Sequence, residues 1–377
     1  MKLFANQNGK FNIYNVERKT KYSNIPYKDQ CQKDYFYGKD LVLENKFRDM
    51  ETEWRPLFNK IINEEELSDE DVEKVKQFAF YQSTRTVAAL EHSEEAKKTQ
   101  MVECMKMECA NKGVPVLPQQ IEKFVDEKAK DGEMDVPFPL HHYEEILSYM
   151  SDLNIVIITY NTKEELISSD VPIVNVNKFI EAHVGYSLAG FLSFFPICKY
   201  KLVVIYDARM YPRYRDKLYV ESNDENEVKV LNEYQLINAE TIAFSCRDDL
   251  DEFYTTEVEE VRYKNRNRPA VQAVGNNQSK LLAFKPRLSI YTCELSFAAL
   301  RREARRVPPI GRDFLPRIQS DKYVERMDFR MYAMPNIDKI HGNRTIGEQK
   351  EYRRAIRSFT QFAYRYWSLP IPKQVLE

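Results

Sequence analysis

"NIVIITY", residues Asn154 to Tyr160, is where the chain changes character. It is apolar, rich in β-branched residues and too short for a helix of ordinary length, so it reads as a buried strand. Two more runs of this kind follow, Gly190 to Ile197 and Lys201 to Asp207. With Pro172 to Asn175 they predict a small sheet. Inside this region "LISSDVPIVN", Leu166 to Asn175, sets an acidic turn between two apolar stretches. Asp170 has two readings. As a turn residue it caps local amides and tolerates Asn. As part of a site it needs its charge, to pair an arginine or to move a proton.

Upstream of residue 151 the periodicity is helical. "KFNIY", "NVERK" and "TKYSN" first read as a hairpin. Residues 41 to 65 then repeat apolar side chains every three or four positions, from Val42 through Trp54 to Ile61, with Pro56 expected to kink the helix. A second helix is expected from Leu67 to His92, capped by Ser68 with Asp71 at the capping-box position. A third closes on Gly113, and two more fall near Gln119 to Lys130 and Leu140 to Met150.

Downstream, residues 224 to 244 and 247 to 266 return to helical spacing, and "NRPAVQAVGNNQSK" reads as a surface loop. The chain closes in "GEQKEYRRAIRSFTQFAYRYW", whose Tyr352, Ile356, Phe359 and Tyr366 form one apolar stripe. The fold class expected is mixed α/β of the α+β kind: a helical N-terminal layer on a small central sheet, with further C-terminal helices. Residues 1–265 form one domain (helical 40–151, sheet-forming 152–210, helical 225–265). Residues 266–377 are a basic region packing on it.

Composition bounds what such a chain does. Hydrophobic residues make up 43% and aromatics 12% of 377 residues, ample for a core. Glycine is scarce, at 10 residues, and no Walker loop, dinucleotide fingerprint, nucleophile elbow or EF-hand loop is present. No apolar run spans a membrane, and the N-terminus lacks a signal-peptide pattern, so a cytoplasmic setting is expected. Six scattered cysteines fit reduced thiols there. Nothing in the sequence names a cofactor.

Charge is uneven. From Arg262 onward there are 24 Lys and Arg against 10 Asp and Glu, while the whole chain carries a net charge of −2. That asymmetry fits either a basic surface for an anionic partner or two lobes that pair with each other.

Five stretches, in order, resemble one family: "FYGKDLVLE", "FYQSTRT", "ISSDVPIV", "FFPICKYKLVVIY" and "LNEYQLINAETIAFS". Over roughly residues 1–260 the chain is similar to domain-of-unknown-function family 4238, widespread in bacteria. The resemblance implies a mixed α/β fold and carries no established activity. It also implies a His-Tyr-x-Pro-like stretch ahead of the segment that resembles "MKLFANQNGKF", and none precedes it here.

Candidate chemistry gathers in two places. Glu44 and Glu51 share one helix face, and Gln82 and Arg85 share another. An arginine beside the apolar run Val87 to Leu90 needs a carboxylate, and Glu44, Glu51 or Asp170 can supply it. Glu44, Gln82, Arg85 and Asp170 are thus a candidate catalytic set, or a polar clamp between helices and sheet. "RREARR" puts Arg301, Arg302, Arg305 and Arg306 on little more than one turn, a candidate phosphate grip or a solvated helix face. "HHYEE", with His141, His142 and Glu145, lacks the zincin order, so no metal site is expected. Two functions of different class follow. One is an enzyme acting on a phosphate-bearing substrate or nucleic acid, in a bacterial defence setting. The other is a non-catalytic protein whose basic C-terminal region binds nucleic acid or another anionic partner.

Overall fold

The computed structural model describes residues 2–30, 42–115, 117–130, 147–180, 185–266, 271–275, 280–284, 295–307, 315, 317 and 346–371. The N-terminal hairpin is β1 (Lys10–Asn15) and β2 (Thr20–Pro26), followed by α1 (Val42–Ile62), α2 (Asp69–Thr84), α3 (Val87–Lys112) and α4 (Pro118–Lys130). Then come β3 (Asn154–Tyr160), β4 (Ser168–Ser169), β5 (Val174–Val176), β6 (Leu192–Cys198), β7 (Lys201–Tyr206) and β8 (Tyr219–Ser222). The chain continues through α5 (Glu225–Asn238), β9 (Ile242–Ser245), α6 (Thr256–Arg266), β10 (Val271–Gly275) and β11 (Lys280–Phe284). It reaches the one-turn α7 (Arg302–Arg305) and the long α8 (Ile346–Tyr366).

The fold is mixed α+β, and β3 sits in its larger sheet, of order β5-β6-β7-β3-β8. All pairings there are antiparallel except β3 with β8. Its strands β3, β6 and β7 are buried on both faces, which is why they read as continuous apolar runs. Val156, Ile158 and Tyr160 point to one core; Ile155 and Ile157 point to the other. The second core is closed by Trp54, Leu57 and Ile61 of α1 and Val75, Ala79 and Phe80 of α2. The first is closed by Val228, Leu231 and Tyr234 of α5, by Phe297, Ala304 and Val307, and by Phe359, Phe362, Ala363 and Tyr366 of α8. Each large apolar side chain so buried contributes about 1.5–3 kcal/mol.

A second sheet, of order β2-β1-β9-β4, joins the N-terminal hairpin to strands more than 150 residues later. The sequence reading missed β9, whose first three residues fall in the stretch 224–244 taken as helical. Helix α5 stops at Asn238, and Ile242 to Ser245 pair antiparallel with Asn12 to Asn15. Two further corrections concern turns. The helix expected from 67 to 92 is broken: Thr86 accepts a hydrogen bond from Ala89 N at 3.1 Å and starts α3. Ser83 and Thr84 hydroxyls bond back to carbonyls of the preceding turn, which ends α2. The supposed loop after residue 266 contains the hairpin β10-β11. The Ser68 capping box with Asp71 and the left-handed Gly113 cap both stand as read. Helix α1 runs on through Pro56. Most of the helix expected at 140–150 lies outside the described residues, as do the side chains of Tyr352 and Ile356.

Gly190 enters β6 with φ +78°, a left-handed conformation. A Cβ there would lie 2.7 Å from Asn177 Oδ1 and 2.8 Å from Phe179 Cβ. Asn177 has no room to retreat: it donates to Ala189 O at 2.9 Å and accepts from Phe179 N and Ile180 N, both at 3.0 Å. Gly190→Ala is therefore expected to destabilise the fold by about 2–4 kcal/mol, from backbone strain plus overpacking. A urea unfolding midpoint equal to wild type would show that this corner yields freely.

Candidate functional site

The turn at Asp170 is a clamp. Its Oδ1 accepts from Glu240 N at 2.8 Å, and its Oδ2 from Thr241 N at 2.7 Å and Ile242 N at 3.2 Å. These amides lie between α5 and β9, so the carboxylate fastens one end of the second sheet. Asn238 completes the fastening, its amide donating to Val171 O at 2.7 Å and Ile173 O at 2.9 Å. Burial pushes the Asp170 carboxyl above the usual carboxylate range, while the three amides pull it back.

Arg85 is engaged elsewhere. It caps α2 and its Nη1 lies 2.6 Å from Glu51 Oε1 of α1, so the carboxylate partner is Glu51. No ion pair or hydrogen bond joins Arg85 to Asp170 among the described residues. Gln82 is half-buried, three residues ahead of Arg85 on α2, and the Glu44 side chain lies outside the described residues. So do His141, His142 and Glu145; among the described residues no group of three metal-ligating side chains gathers.

The arginines converge more tightly. A pocket of about 460 Å³ opens where the loop after β7 meets α7 and the end of α8. Five guanidinium side chains line it, Arg209, Arg215, Arg301, Arg302 and Arg365, against one carboxylate, Glu303. Ala208, Pro212, Tyr366 and Ser368 complete the wall. Arg305 and Arg306 of the same cluster lie outside it. Arg305 instead donates to Leu300 O at 2.9 Å.

Two of the five have carboxylate partners. Arg209 pairs with Asp152, and Arg301 Nε lies 3.1 Å from Glu303. Arg215, Arg302 and Arg365 are exposed and form no ion pair among the described residues. Beneath them lies Asp207, 1% exposed. It accepts from Gly190 N at 2.8 Å, Arg209 N at 3.0 Å and Tyr366 Oη at 2.7 Å. The Arg209 guanidinium covers the Tyr366 ring, 4.7 Å from its centroid. Burial and the Asp207 charge push the Tyr366 phenol far above its usual range. Glu303, by contrast, is held low by its own backbone amide and by Arg301.

The "RREARR" run announced two of the pocket's arginines. Arg209, Arg215 and Arg365 gave no signal, because each stands alone in its segment and only the packing of α8 and residues 295–307 brings them together. For Asp170 the structure gives a sharper expectation than turn propensity did. Asn would place an NH2 group against an amide that now donates to a carboxylate oxygen. Asp170→Asn should therefore fold but lose about 1–3 kcal/mol. Chemical denaturation measures this, and an unchanged stability would mean that water replaces the lost acceptor without cost.

No curated protein and no solved structure was found to match the chain. No helix among the described residues is long and apolar enough to cross a membrane. A family model described as "Protein of unknown function (DUF4238)" matches residues 1–249, about two thirds of the chain. The matched part includes Arg209 and Arg215 of the pocket and every strand through β9, and ends before Arg301, Arg302 and Arg365. Over that length the chain belongs to the DUF4238 family.

Proposed function

We propose that the protein recognises a phosphate-bearing anion in the arginine pocket, and that it acts by binding rather than by turnover. The observation that supports this reading is the convergence of Arg215, Arg302 and Arg365, from three separate segments, with no carboxylate partner among the described residues. Like charges gathered in one concavity repel one another, and an anion joining them relieves that repulsion. Guanidinium forks match phosphate oxygens two at a time. The volume, about 460 Å³, is that of a small-molecule site.

Binding is favoured over catalysis by what the wall lacks. A general base needs a pKa near the working pH. Among the described wall residues, Glu303 is lowered from its ordinary value by its own backbone amide and Arg301, and the Tyr366 phenol is raised by burial, so both move away from the range a general base needs. The enzyme reading drew on Glu44, Gln82, Arg85 and Asp170. Arg85 and Asp170 are committed to Glu51 and to backbone amides.

Calorimetric titration with inorganic tripolyphosphate at low salt tests the reading. Wild type should bind, and Arg302→Ala combined with Arg365→Ala should weaken binding at least about tenfold, as loss of two charge-assisted contacts requires. Both substitutions fall on exposed side chains, so the fold should persist. Equal binding by the double variant would overturn the assignment.

A further inference from the structure

Resting on the pocket reading, we infer that the site is selective for a compact chain of at least two linked phosphates, and that it is indifferent to what carries them. Three features of the wall lead there.

The first is stoichiometry. Asp152 and Asp207 face Arg209 and the buried Arg317, and Glu303 faces Arg301, which leaves Arg215, Arg302 and Arg365 as the surplus among the described residues. A single phosphate carries about two negative charges at neutral pH and cannot balance three guanidinium groups. A diphosphate has the charge.

The second is the state of the aromatic rings. Recognition of a base uses a ring face on which the base stacks. The Tyr366 ring is 2% exposed and covered by Arg209. Tyr214, on the turn between Pro212 and Arg215, is covered by Arg213 at 5.2 Å. Among the described residues the pocket thus offers guanidinium groups and no free ring, so it reads phosphates and ignores the base.

The third is what happens at the rim. A nucleic-acid strand needs a track of free cations leading out of the pocket. Arg213 Nη1 is turned onto Ser296 O at 3.3 Å, and Arg305 Nε onto Leu300 O at 2.9 Å. Each is bonded back to the protein's own backbone. Two of the described arginines at the rim are thus engaged, which favours a compact ligand over a polymer.

The test is a ladder of probes on the full chain at one ionic strength: orthophosphate, pyrophosphate, tripolyphosphate, the four ribonucleoside triphosphates and a short oligo-dT. Pyrophosphate should bind at least about tenfold more tightly than orthophosphate, as a second gripped phosphate requires. The four nucleoside triphosphates should agree within about threefold, since no ring discriminates them. Orthophosphate binding as well as pyrophosphate would overturn the inference and leave the pocket reading standing. So would a tenfold preference for one base, or oligo-dT binding more tightly than tripolyphosphate. If none of the probes binds, the pocket reading itself falls.

Discussion

Asp207 is the constraint on which the rest of this architecture turns. A carboxylate 1% exposed is tolerable only if its oxygens are fully engaged. Here they take the amide of Gly190 ahead of β6, the amide of Arg209 beyond β7, and the phenol of Tyr366 near the end of α8. Those partners lie as far as 159 residues away along the chain. One buried charge thus fixes where the last helix ends relative to the central sheet. Gly190 is held in a left-handed conformation at the same point, so the corner combines an electrostatic requirement with a steric one. The pocket is built on top of it: Arg209 and Tyr366 are both placed by Asp207 and both line the wall.

The C-terminal residues are structural as well as basic. Glu227, 3% exposed on α5, accepts the Tyr160 hydroxyl at 2.9 Å and the amide of Ser296. That holds the start of the arginine-bearing segment against the sheet. Arg317, fully buried, donates to Asp152 at 2.7 Å, and Asp152 in turn pairs with Arg209. This contact ties Arg317 of the C-terminal part to Asp152 and, through it, to Arg209. Of the C-terminal arginines, Arg302 and Arg365 form no such pair among the described residues.

Much of the larger sheet was legible because a strand buried on both faces has no choice but to be apolar along its length, as β3, β6 and β7 are. Helix ends were legible where a side chain enforces them, as at Ser68 and Gly113. The second sheet was harder. Strand β9 is four residues long and exists because β1, more than 200 residues earlier, supplies its hydrogen bonds. Local sequence carries no trace of such a partner. Asp170 was read as either a turn residue or a site carboxylate; its partners are backbone amides, which no residue type announces. The pocket fails to appear for the same reason. Arg301 and Arg302 are adjacent in sequence, whereas Arg209, Arg215 and Arg365 join them only through the docking of α8 and residues 295–307 on the sheet.

That docking explains why the arginines are tolerated at all. Five guanidinium groups around one carboxylate repel one another, and in an isolated segment they would splay into water. Here the backbone beneath them is held by Phe297, Ala304, Val307, Phe359, Phe362 and Tyr366 in the same apolar core. Burial worth several kcal/mol, about 1.5–3 for each large side chain, keeps the charges close against a repulsion that water softens. An anion bound as proposed would offset that repulsion, and by linkage it would favour the docked position of α8, which Asp207 and Tyr366 already hold.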